Sequence, residues 1–439
     1  MANSSLQRSR TAGSTKTKFT ISMWVKKSAN NAKYLMVNRT DDSNRALFQF
    51  SGNDGLLFQS KYSNSNNAAL ETNRKFRDTS GWYHIVLVGD STLSTAADRT
   101  KLYVNGVRET SFASETQIPS GEHYYINEAT TNGFRIGEKG DGSDYFDGYI
   151  SHCVFLDGVA AAYTEFGETD STSGIWKFKS PSGLTFGTNG FHLKFENSAN
   201  LGLDSSGQTN NLTVNGNLKQ AVDTPSNVYC TMNSIDNYYA NSTFTTGNNT
   251  VEWTVTNKTN TGTLACGIGS GKWYWEAKCQ SASGNGILHG VCKDDVDLNK
   301  YVGQSGSESV GYYNSNGHIY DGINDTNGAF GNTWTTGDII MVAFDASSGK
   351  LFFGKNGVWE ASANPATGAN PIRTLSTTDT FRPATSGYDN DIMNYNFGNG
   401  YFGTTAITSA GSNGNGSLFE YDVPSGYYAL NTKNINTYG

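Results

Sequence analysis

Gly271-Lys272-Trp273-Tyr274-Trp275-Glu276-Ala277-Lys278, with Trp334-Thr335-Thr336-Gly337-Asp338 and Leu351-Phe352-Phe353-Gly354-Lys355-Asn356-Gly357-Val358-Trp359, decides how this chain folds. Aromatic and β-branched residues fill all three segments, and Asn356-Gly357 is a hairpin turn signal between the last two β-rich runs. A second series of strand signals precedes them. Phe19-Thr20-Ile21-Ser22-Met23-Trp24-Val25-Lys26-Lys27 alternates apolar and polar residues as a half-buried strand does. Trp82 to Val88, Lys101 to Val107, Phe134 to Gly137, Phe146 to Ile150 and Phe191 to Phe195 continue it. Helix signals are nearly absent. Gly158 to Phe166 has room for one or two turns, and no heptad repeat is present. The expectation is an all-β chain of two tandem antiparallel sandwiches with a short C-terminal tail.

Composition fits that expectation. The chain has 439 residues, enough for two cores, and 50 Gly against 7 Pro suits many short strands joined by tight turns. Turns at Asp204-Ser205-Ser206-Gly207 and Asn215-Gly216, then Asp223-Thr224-Pro225, place a boundary near 222. The reading is a first sandwich over 1–222, a second over 223–400, and over 401–439 a Gly/Ser/Asn spacer (Ser409 to Gly416) followed by an aromatic docking peptide, Phe419 to Asn431.

A formal net charge of -7 with no Lys/Arg-rich run leaves no field for a phosphate backbone, so nucleic acid is not an expected partner. No apolar run is long enough to span a bilayer, and Met1 to Lys18 lacks the apolar core of a signal peptide, so neither membrane insertion nor general export is expected. Five cysteines without a C-x-x-C pair read as buried, reduced thiols, consistent with assembly in a reducing cytoplasm.

Catalytic signatures are missing. Paired-carboxylate hydrolysis needs two acids facing one bond, yet Glu168-Thr169-Asp170 and Glu420-Tyr421-Asp422 each lack the second Glu of a Glu-x-Asp-x-Glu strand. Gly269-Ser270-Gly271 is a truncated nucleophile elbow, and the six histidines show no zinc spacing. No catalytic residue is expected. A polysaccharide depolymerase would have to assemble its carboxylates from distant loops. No cofactor is required, and calcium is the one metal considered: Asp141, Asp144 and Asp147 supply hard oxygens on one loop, with Asp236 and Asp294, Asp295 and Asp297 as weaker groups.

The 271–359 segments resemble the SPRY (B30.2-like) β-sandwich, and the 19–150 series is similar to the laminin-G/concanavalin A-like jelly roll; both are binding modules. SPRY resemblance implies that loops at one end of the sandwich form the partner surface. Aromatics near turns are then the ligand-binding candidates: Tyr312, Tyr320 with Asp321, and Tyr388 in the second domain, and Tyr124 and Tyr145 in the first. The order of the two domains, with Asp204 to Gly216, Asp223 to Asn227 and Val423 to Leu430, resembles bacteriophage virion proteins over nearly the whole chain. That resemblance implies a structural protein of the virion surface, assembled in the host cytoplasm, such as a tail fibre, receptor-binding appendage or decoration. It implies other virion proteins, further copies of itself as a homo-oligomer, and a host surface glycan or receptor as partners.

Overall fold

The computed structural model describes residues 3–11, 15–29, 32–255, 257–283 and 286–439. The chain divides into two compact units, Met1–Gln220 and Ala221–Gly439. The first is a sandwich of an eight-stranded and a six-stranded antiparallel sheet. Strand Lys18–Lys27 is central to the six-stranded sheet, flanked by Tyr83–Asp90 and Gly148–Asp157. Its odd residues Phe19, Ile21, Met23 and Val25 point between the sheets and meet Phe48, Phe58, Ile85, Leu87 and Phe155. Burying each such side chain stabilises the fold by roughly 1.5–3 kcal/mol.

The even residues correct the half-buried expectation. Thr20, Ser22, Trp24 and Lys26 are buried as well. The outer face of this sheet carries a second apolar layer, in which Val86, Val88, Val154 and Leu156 pack under Phe166, Tyr163, Leu184 and Phe186. Within it the hairpin Gly167–Thr169/Trp176–Phe178 is pinned by Trp176, whose Nε1–H donates to His84 Nδ1 over 2.9 Å. Gly106, at φ +77° in the Asn105-Gly106 turn, is required there, since a Cβ would come within 2.4 Å of the Trp176 ring. The segment read as a possible helix, 158–166, holds one 3-10 turn, Tyr163–Glu165.

The second unit pairs a sheet built on Lys272–Ser281, Ile339–Asp345, Lys350–Lys355 and Ile392–Asn396 with one built on Leu288–Lys293, Ser309–Tyr313, His318–Asp321 and Phe381–Ser386. Trp273, Trp275, Ala277 and Cys279 point between the sheets and pack with Trp253, Trp334, Phe344 and Tyr395. Asn356 and Gly357, at φ +48° and +85°, turn the chain into Val358–Trp359. All five cysteines are buried, and none forms a disulfide.

The alternate residues of Lys272–Ser281 face outward, and residues 401–439 cover them. Phe419, Val423, Tyr427 and Ala429 pack on Tyr274, Met341, Ala343 and Phe352. Tyr428–Ala429 adds in parallel beside Trp273–Tyr274, at the point where the antiparallel neighbour Ile392–Asn396 has ended. Glu276, fully buried, accepts from the backbone N–H groups of Glu420 and Tyr421 at 2.9 Å each, from Tyr274 Oη–H at 2.9 Å and from Asn396 Nδ2–H at 3.3 Å. The spacer is bonded too, with Ser412 N–H donating to Asp422 Oδ1 and Gly411 N–H to the Phe419 carbonyl. Spacer and tail are thus part of the second unit, with the helix Thr432–Tyr438 closing it. Among the described residues no helix is long and apolar enough to cross a membrane.

Candidate recognition surface

The tyrosines named from sequence separate sharply. Tyr312 is fully buried in the second core; its hydroxyl donates to the Asn332 carbonyl and lies 3.3 Å from Glu360 Oε1. Tyr124 is likewise buried, edge-on to Phe19 at 4.9 Å, with its hydroxyl donating to the Arg99 carbonyl over 2.6 Å. Neither can meet a ligand, because each ring is already enclosed and each hydroxyl already satisfied. Asp321 is also withdrawn: 1 % exposed, it pairs with Arg373 Nε at 2.8 Å and caps a turn by accepting from Ile323 and Asn324 N–H. Tyr320 is half-buried on the outer face of its sheet, edge-on to Tyr313 at 5.0 Å. Tyr145 is half-buried, and Tyr388 is 44 % exposed.

The calcium loop does not gather its carboxylates. Asp141 is taken by Arg39 at 3.1 Å and Lys139 at 3.3 Å, and Asp144 is exposed in a left-handed turn. Asp147 is buried, and burial pushes its carboxyl up to about 6. Asp236 and Asp294 are bridged by Arg382 at 3.2 and 3.0 Å, so a guanidinium already supplies the positive charge. Among the described residues no three His, Cys, Asp or Glu side chains converge on a metal position. These loops do not fit calcium, which takes six to eight oxygens.

What the second unit does present is a group of joined loops at one end of its sandwich. Thr254 N–H donates to the Asn241 carbonyl, and Asn257 N–H to the Gly387 carbonyl. Ser283 N–H and Tyr388 N–H both donate to the buried Asp391 carboxylate, at 2.8 and 2.7 Å. Lys258 Nζ–H donates to Asn299 at its carbonyl, 2.7 Å, and its Oδ1, 2.6 Å. The same ammonium stands 5.8 Å above the Tyr238 ring. Tyr238 lies edge-on to Tyr239 at 4.5 Å, and Tyr239 is 83 % exposed.

Tyr239 owes that exposure to its backbone. It and Ala240 sit at φ +55° and +51°, left-handed values that turn the side chain away from the sheet. Tyr388 is anchored at its base, for a Cβ on Gly286 would lie 2.7 Å from Tyr388 Cβ, while its ring stays open. The surface thus offers fixed aromatic faces, an ammonium, and nearby amides at Asn299 and Asn390. Sequence reasoning did not select Tyr238 and Tyr239. The available signal was a tyrosine doublet between turn-forming residues, Asp236-Asn237 and Asn241.

Two tandem sandwiches, the second with an aromatic loop end, define a protein built from binding-type folds. Residues 2–162 match the family model of the concanavalin A-like lectin/glucanases superfamily, and residues 272–400 match the SPRY domain. The chain therefore carries a laminin-G/concanavalin A-like domain followed by a SPRY domain. Among solved structures it is similar to the SPRY domain of human HERC1, at 16% identity over 34% of this chain and 87% of that one, with TM-score 0.27. It is also similar to a human SPRY domain, at 18% identity over 34% and 90%, TM-score 0.26. A third is the heptameric SAP-like pentraxin of Limulus polyphemus, at 17% identity over 36% and 71%, TM-score 0.26. No curated protein matches the sequence.

Proposed function

We propose that this chain is a bacteriophage virion surface protein that contributes to host attachment by non-covalent binding of surface glycans, several copies acting together. The observation that carries the reading is the open tyrosine surface of the SPRY domain, with Tyr239 83 % exposed beside Tyr238 and Lys258, and Tyr388 at the same end. Exposed aromatic faces stack on the apolar faces of sugar rings, while Asn amides and the ammonium pair with hydroxyls and carboxylates. Such sites are individually weak, and repetition on one particle raises their avidity. The virion context rests on the domain order and tail sequence. In this reading the chain acts by binding and not by turnover, since Glu168-Thr169-Asp170 and Glu420-Tyr421-Asp422 lack the second Glu of a Glu-x-Asp-x-Glu strand.

The test is binding of the purified protein to an array of bacterial capsular and lipopolysaccharide glycans, with the bound glycan sized afterward. Saturable binding of intact glycan that Tyr239→Ala and Tyr388→Ala weaken is the expected result. Shortened glycan would replace this reading with a depolymerase, and absence of binding with a decoration protein that has no ligand of its own.

A further inference from the structure

Two histidines forty residues apart in sequence meet on the outer face of the first unit's six-stranded sheet. His152 sits where the register of Gly148–Asp157 against Lys18–Lys27 shifts, between Ser151 and Val154, with φ at +46°. Left-handed backbone interrupts the extended strand at this residue and takes its side chain out of the regular alternation. Phe178 stacks on the imidazole at 3.7 Å and 14°, fixing its plane. His192 lies on the neighbouring strand, Phe191–Leu193, opposite Val154. Its N–H donates to Asp204 Oδ1 and its carbonyl accepts from Ser205 N–H, which hold its backbone on both sides.

The two ring centroids are 5.8 Å apart. Nδ1 of His152 and Nε2 of His192 are buried, and neither has a hydrogen-bond partner among the described residues. A buried polar atom left unpaired keeps its full desolvation penalty, so a pair of them side by side calls for a bound species. Two imidazoles bridged by one metal ion at metal–nitrogen distances of about 2.0–2.1 Å place their ring centroids roughly 5–6 Å apart. The observed separation falls in that range. Glu196 is close to His152, its carboxylate 71 % exposed and 3.9 Å from Lys194 Nζ, and it lines an open cleft of about 360 Å³ with Lys194, Asn197 and Asn200.

We propose that His152 and His192 bind one first-row transition-metal ion of the Zn²⁺ or Cu²⁺ class, with water completing the coordination. Imidazole nitrogen favours these ions over calcium. Binding would tie Gly148–Asp157 to Phe191–Leu193 and, through Phe178, to the hairpin that covers the sheet. The site lies within the first unit and does not depend on the glycan reading.

The test uses tag-free full-length protein titrated with Zn²⁺ by calorimetry. One equivalent should bind, and His152→Asn and His192→Asn should each weaken binding by about tenfold or more. Unchanged Zn²⁺ binding in both variants, or no saturable binding by the wild type, would overturn the proposal. Should either variant fail to fold, electron paramagnetic resonance of the Cu²⁺-loaded wild type decides. Hyperfine coupling to two imidazole nitrogens supports the site, and coupling to none or one refutes it.

Discussion

Replacing Glu276 with Gln isolates the energetic role of the carboxylate that clasps the C-terminal segment. Glu276 is fully buried under residues 419–421, and burial pushes its carboxyl up from 4.5 to about 7, although four hydrogen bonds oppose the shift. Because the folded value lies above the unfolded one, the folded chain holds a proton that the unfolded chain has lost between these two values. Stability from this group is therefore fully present below pH 4.5, falls as pH rises, and is lost once pH passes about 7. A displacement of about 2.5 units corresponds to about 3 kcal/mol, at 1.36 kcal/mol per unit. Glu276→Gln removes the titration at a fixed cost, since one backbone N–H of the tail then faces an NH₂ group.

The assay is urea unfolding of wild type and variant at pH 5, 6, 7 and 8, following the transition that the variant shifts. Subtracting the two stabilities cancels every other titrating group. The wild type should lose about 2.5 kcal/mol relative to the variant between pH 5 and 8, with the steepest change near pH 6, between the unfolded and folded values. A difference that stays constant across that range would refute the claim that a buried, proton-binding Glu276 holds the tail.

Other outcomes follow from the same geometry. Phe419→Ala should cost about 3–5 kcal/mol, because the ring is 1 % exposed and edge-on to Tyr274 at 4.9 Å, and limited proteolysis should then cut within 409–431. Tyr239→Ala should change stability by no more than about 0.5 kcal/mol while weakening glycan binding, whereas Tyr312→Ala should cost about 3–5 kcal/mol through its cavity; thermal melts and the glycan array separate the two. His84 and His289 are both held near pKa 3 by burial, below the unfolded 6.5, so each contributes stability that is present above pH 6.5 and lost as pH falls toward 3. His289→Asn should flatten the acid limb of unfolding for the second unit, measured by fluorescence from pH 7 to 4.

The strands were legible because a sheet imposes period two on side chains whose polarity is visible in the sequence. Trp273, Trp275 and Ala277 point inward together for that reason, and Asn356-Gly357 turns because its residues accept left-handed backbone. The same rule separates Tyr312 from Tyr320. Val310 and Tyr312 share the parity of the inward face, while Tyr320 follows the buried Ile319 and so points out. Reading these two tyrosines only by nearness to turns let a core residue pass as a ligand contact.

Parity fails where a strand is covered on both sides, since no local pattern announces the second layer. Lys18–Lys27 alternates in sequence, yet both faces are buried, because residues 158–190 return over the outer one. Glu276 reads as the polar residue of a solvated face and is instead the anchor for backbone groups 144 and 145 positions away. The His152–His192 approach depends on a register shift that displaces one residue from its strand. In each case a polar or aromatic residue on an outward face was given its meaning by a distant segment folding back over it. Tyr239 and Tyr388 are the opposite case, outward aromatics that no described segment covers, and that contrast is the physical reason we propose recognition at their end of the second sandwich.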